Sequence, residues 1–129
     1  MSPLALAAVL GCGSGEPHPL HAYVAAIQAP GPPACQTIAD PVLRGECGAL
    51  AARDLAPTDE GAAVRACEAL DPGLWQDECY FLVSDALDAT GAKAEALCAT
   101  AGRFSHQCLS HARSRQERAP GVLTPGAPR

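Results

Sequence analysis

Apolar residues along this chain recur every three or four positions, the period of helices with one buried face. Leu20, Tyr23, Val24 and Ile27 fall at i, i+3, i+4 and i+7 of such a face. Pro, Gly and Asp interrupt the pattern at Ala29-Pro30-Gly31-Pro32-Pro33, Asp40-Pro41, Asp71-Pro72 and Ala101-Gly102. The pattern predicts helices over about 20–28, 34–39, 42–55, 59–70, 73–89, 92–101 and 103–117. Asp before Pro is a cap joined to a first-turn residue, so Asp40 and Asp71 are expected to open helices. Thr58 is the expected cap of the helix at 59, with Asp59 and Glu60 in its first turn.

From residue 34 the chain repeats itself. Cys35 and Cys47 have eleven residues between them, as do Cys67 and Cys79, and the second pair lies 32 positions after the first. Cys98 and Cys108, with nine between, form a third pair. Flanking positions keep the register: four before the second cysteine stand Leu43, Trp75 and Phe104, three after it Leu50, Leu82 and His111, and four after it Ala51, Val83 and Ala112. A period near 32 with a helix break inside each unit is the mark of a helical repeat array. The expected fold is all-α: disulfide-stapled helical hairpins in a short repeat array, with an N-terminal helix and flexible tails. Residues 20–118 form the repeat domain, with units at about 34–56, 58–90 and 92–118, and 119–129 read as a disordered tail.

Composition narrows the class. The 129 residues suit one domain, with 48% hydrophobic residues but only 4% aromatic. The net charge of −5 is unevenly placed: residues 40–95 carry twelve acids and four bases (4 − 12 = −8), and residues 103–129 five Arg and one Glu (5 − 1 = +4). An acidic body argues against nucleic acid as a partner, and the basic segment reads as a solvated helix face. Seven cysteines in so short a chain point to an oxidising compartment.

The N-terminus accounts for the odd count. Residues 1–11 are a short apolar run that suits an export signal and is too short to span a bilayer. Val9-Leu10-Gly11-Cys12 resembles the lipobox of bacterial lipoproteins. That resemblance implies cleavage before Cys12, a lipid on Cys12, and a membrane partner through that lipid. Gly13 after the cysteine implies the outer membrane, facing the periplasm. Residues 12–19 then form a flexible tether.

Six cysteines remain, and six permit fifteen pairings. The repeat makes one simplest, Cys35 with Cys47, Cys67 with Cys79 and Cys98 with Cys108, each pair straddling a bend. Ala34-Cys35 and Ala66-Cys67, with Cys47 and Cys79, are loosely similar to the cysteine-rich, Sel1-like helical repeats of secreted bacterial proteins. That likeness implies an architecture alone. The twin Cys-x9-Cys family, suggested by Cys98 and Cys108, keeps each pair on one unbroken helix, and Asp40-Pro41 and Asp71-Pro72 break the helices here.

Candidate chemistry is sparse. No Cys-x-x-Cys motif is present, so neither thiol redox nor haem attachment has its usual sequence basis, and the cysteine spacings exceed those of structural zinc pairs. His18 and His21 share a face at the tether's end, whereas His106 and His111 stand on different faces of the last helix. Asp77, Glu78, Asp85 and Asp88 read as a solvated helix face without a calcium loop. No serine sits in a nucleophile elbow. The expectation is therefore a non-catalytic binding or structural module of the cell envelope, lipid-anchored or secreted, with an unidentified protein partner, no cofactor and no metal. The alternative is a thiol-redox or metal-handling envelope protein. Trp75, Tyr80 and Phe81 concentrate the aromatics, and Tyr80 with Phe81 is the expected contact surface.

Overall fold

A computed structural model describes residues 19–28 and 32–120. The signal segment, Cys12, the tether as far as His18 and the tail after Pro120 lie outside the described residues. The fold is all-α. Its helices are α1 (Pro19–Gln28), α2 (Pro41–Leu55), α3 (Glu60–Glu68), α4 (Leu74–Ala86), α5 (Gly91–Thr100) and α6 (Ser105–Arg118). Two 3₁₀ segments, Pro32–Thr37 and Gly102–Phe104, precede α2 and α6.

Local chemistry explains most boundaries. Asp40 caps α2, its Oδ1 accepting from the Val42 and Leu43 N–H groups at 2.9 Å, with Pro41 in the first turn. The second bend departs from the expectation. Asp71 does not cap α4, because Pro72-Gly73 forms a turn and Gly73, at φ +147°, is the residue before Leu74. Thr58 is not the cap of α3 either. Its hydroxyl donates to the Leu55 carbonyl and closes α2, and Asp59 caps α3 by accepting from Ala62 N–H at 2.8 Å. The segment expected as a helix at 34–39 is a 3₁₀ turn. Six residues bounded by Pro32-Pro33 and Asp40-Pro41 are too few for an α-helix to offset its nucleation, so i+3 bonds such as Ile38 N–H to Cys35 carbonyl serve instead. α4 stops at Ala86 rather than running to 89, and Asp88 adopts φ +47° in the turn to α5.

The three hairpins follow the repeat, and each is stapled in sequence order: Cys35–Cys47, Cys67–Cys79 and Cys98–Cys108, with Cα–Cα distances of 5.6, 5.5 and 5.4 Å. The main core joins all three units around Cys67, Cys79, Cys98, Cys108, Val83 and Tyr80, packed among alanines such as Ala49, Ala52 and Ala63. Alanine and cysteine let the helices approach closely but bury few methylenes per residue, so the staples carry much of the stability.

α2 against α4 is the most extensive helix pairing. It depends on Gly45, where a Cβ would lie 2.5 Å from Trp75 Cδ1, and Gly48 does the same for the segment after α3, where a Cβ would lie 2.6 Å from Leu70 Cδ2. α1 packs on the first 3₁₀ segment and α2 through Tyr23 and Ala26. Leu20 and Val24, expected on its buried face, are 50% and 45% exposed, because the small surface offered by Cys35, Ile38 and Cys47 is covered by Tyr23 and Ala26.

Candidate functional site

In the first two units the second helix reaches back to the end of the segment before it, each time through the residue three before the second cysteine. Arg44 Nη1 donates to the Ile38 and Ala39 carbonyls at 2.8 and 3.3 Å. Its repeat partner Gln76 donates through Nε2 to the Leu70 and Cys67 carbonyls at 3.1 and 3.3 Å. Both satisfy carbonyls left over where a helix or 3₁₀ segment ends. The bends at 38–41 and 69–73 are thereby each fixed to their own second helix, and the packing of α2 on α4 sets the two bends side by side.

Between those bends lies an open cleft of about 480 Å³. Pro41, Val42, Asp71, Pro72, Leu74 and Trp75 are among its walls, and Gly45 lies at the base of Trp75. Val42 and Leu74 are 58% and 42% exposed, the most exposed large apolar side chains of α2 and α4. The Trp75 indole Nε1 donates to no described residue, and no buried side-chain nitrogen or oxygen lacks a partner, so this N–H meets solvent. The exposed Asp71 carboxylate is likewise without a hydrogen bond or ion pair among the described residues. The cleft thus joins apolar walls, one free N–H donor and one unpaired carboxylate, with Arg44 as its one base.

The same interface between the second and third units is closed. Two positions before the second cysteine, Gly45 in the first unit becomes Asp77 in the second. Five positions before it, Val42 and Leu74 become Arg103 in the third. Asp77 Oδ2 accepts from Arg103 Nε at 3.0 Å and from its backbone N–H at 3.3 Å, with its carboxylate directly over Gly102. A polar bridge therefore joins bend to helix there, whereas between the first two units Gly45 meets the Trp75 side chain and Leu74 is left exposed.

The seam of α4 with α6 holds a second charged cluster. Asp85 accepts from Arg115 Nη1 and lies 3.1 Å from His111 Nδ1, and Arg115 Nε and Nη2 donate to the Ala89 carbonyl at 3.3 and 2.9 Å. Asp77 and Asp85 are thus not a free solvated face, and Arg103 and Arg115 are not a free basic one. The acidic body and basic C-terminal segment meet within the molecule. His111 sits edge-on to Phe81 with centroids 5.0 Å apart, which explains a histidine at the stripe position of Leu50 and Leu82.

The expected contact surface falls elsewhere. Tyr80 is buried at 8% exposure, and its phenol is pushed above the ordinary value of 10.0 by burial and then by Glu68. Phe81 is half-buried, stacked with Phe104 at 6.1 Å as well as against His111. Of the three aromatics only Trp75 borders the cleft. The six cysteines from Cys35 to Cys108 are all buried within their bridges. His21 and His106 are exposed, while His18 and Cys12 lie outside the described residues. No group of three or more metal-ligating side chains occurs among the described residues, and no described helix is long and apolar enough to cross a membrane. The cleft had a signal in the sequence, the loss of repeat identity at positions 42, 45 and 74 relative to 77 and 103. Reading it required knowing which units face each other.

Comparison of the chain with protein-family models, with curated proteins and with solved structures finds no match.

Proposed function

We propose that this protein is a non-catalytic binding or structural module of the cell envelope, exported and held there by a lipid on Cys12 or released from it. Its partners in this reading are the membrane, through that lipid, and a protein, through the folded body. One observation carries the reading: six cysteines are spent on buried staples, while a repeat that closes one interface with ionic contacts leaves the corresponding cleft beside Trp75 open. Three disulfides are compatible with an oxidising, exported environment. The lipobox-like Val9-Leu10-Gly11-Cys12 supports anchoring.

The test is an intact mass of the protein isolated from its own cells, taken after alkylation with and without prior reduction. The expected species begins at acylated Cys12 and gains six alkyl groups only after reduction. Thiols that alkylate without reduction, or metal retained through purification, would replace this reading with a thiol-redox or metal-handling one. A chain still carrying Met1 would remove the envelope from the proposal.

A further inference from the structure

The geometry points to the cleft between the first two bends as a docking site for an extended cationic peptide segment, one that inserts an apolar side chain between Val42 and Leu74 and sets a Lys or Arg beside Asp71. This inference rests on the binding-module reading and names the class of ligand.

The repeat shows what such a ligand would supply. Between the second and third units, Arg103 provides the cation and Asp77 the anion that fasten a bend to the neighbouring second helix. Between the first and second units the cation position holds Leu74, the anion position holds Gly45, and Asp71 on the bend has no partner. A basic residue from outside would therefore meet an unpaired carboxylate, and an apolar one would cover two exposed aliphatic side chains. Arg44, the one base lining the cleft, has its Nη1 committed to the Ile38 and Ala39 carbonyls and forms no ion pair with Asp71. Trp75 is seated against the Gly45 backbone, leaving the indole N–H as a donor for a peptide carbonyl. Rigid walls favour this use: Pro41 and Pro72 fix both bends, and the Arg44 and Gln76 clamps hold them, so little order is lost on binding. An acidic peptide would bring a second carboxylate beside the unpaired Asp71, while the one base of the cleft, Arg44, is turned to the Ile38 and Ala39 carbonyls.

Trp75 is the only tryptophan, so its emission reports the cleft directly. The full folded protein would be titrated with acetylated, amidated Pro-Leu-Pro-Arg and with the same peptide ending in Glu. The expected result is a saturable shift with the Arg peptide and binding of the Glu peptide weaker by about threefold or more, the scale of one exposed ion pair. Asp71→Asn removes that preference, and Leu74→Ser weakens both peptides. Both positions are exposed, so the variants should keep the native far-UV signal. Equal binding of the two peptides, a preference that survives Asp71→Asn, or no saturable shift with either would overturn the proposal. So would a shift with a neutral chitooligosaccharide alone, which would keep a binding module and replace its ligand class. The alkylation mass experiment reads the module reading separately, so the two failures are distinguishable.

Discussion

Arg115 fastens α6 to α4 and the turn after it, and replacing it with Ala tests whether the charge partition of the chain is an internal device. Its side chain is 14% exposed, whereas that of Asp85 is 34% exposed. The ion pair is therefore partly screened and contributes about 1 kcal/mol. The larger share comes from the Ala89 carbonyl, on a residue only 3% exposed, which accepts from both Nε and Nη2. Depriving a buried carbonyl of a charged donor costs about 2 kcal/mol. Arg115→Ala should then destabilise by about 3 kcal/mol, a fall in Tm of about 10 to 20 °C for a domain near 100 residues. Arg115→Lys should recover less than half, because a single ammonium cannot span Asp85 and Ala89 as the guanidinium fork does. Thermal unfolding of Arg115→Ala, Asp85→Asn and the double variant would give a coupling near 1 kcal/mol, with His111→Ala as the control for the second partner of Asp85. A loss below about 0.5 kcal/mol for Arg115→Ala, the scale of an ordinary surface substitution, or a Lys variant equal to the wild type, would refute the reasoning.

Three further outcomes are expected. Each disulfide closes a loop of 10 to 12 residues' separation, worth about 3 kcal/mol by loop closure, so the three together approach the whole stability of a small domain. Full reduction should abolish the cooperative thermal transition followed by circular dichroism, and a reduced protein that still melts near the native Tm would contradict the argument that an alanine-rich core leans on its staples. Gly102→Ala should be more destabilising than Gly91→Ala in urea titration: both have positive φ, at +47° and +56°, but a Cβ at 102 would lie 2.3 Å from Asp77 Oδ1 and one at 91 meets open space, and equal losses would deny the Asp77 contact. Tyr23 and Tyr80 both hold their protons above the ordinary 10.0, each through burial first and then a carboxylate, Glu46 or Glu68. Because the folded values are raised, the stability they contribute is fully present below pH 10 and is lost as pH rises through the folded values; tyrosinate absorbance rising as in free tyrosine while circular dichroism remains native would disprove this.

Much of the architecture was legible because it is written locally. A helix break falls between the cysteines of every pair, and the register around Cys47, Cys79 and Cys108 marks one buried stripe. Similar spacing around equivalent bends made the in-order pairing the simplest of fifteen. Errors at the ends also had local causes: Asp59 outcompeted Thr58 for the cap of α3, and Gly73 took the place expected of Asp71.

What one unit shows its neighbour was not written locally. The sequence placed Tyr80 and Phe81 together beside the stripe, but a helix turns about 100° per residue, and only the position of α6 decides that Phe81 lies between Phe104 and His111. The burial of Arg115 against Asp85 and Ala89 spans 30 and 26 positions, beyond the reach of any periodicity. The cleft beside Trp75 exists because Gly45 stands where the next unit has Asp77, and that difference acquires meaning only when α2 and α4 are side by side. By itself the sequence determined the helices, the bends and the stapled repeat, since these depend on capping, proline geometry and contacts within a hairpin. The tertiary structure decided which charges cancel, which aromatic is buried and where the surface stays open, because those depend on pairs of residues from different hairpins.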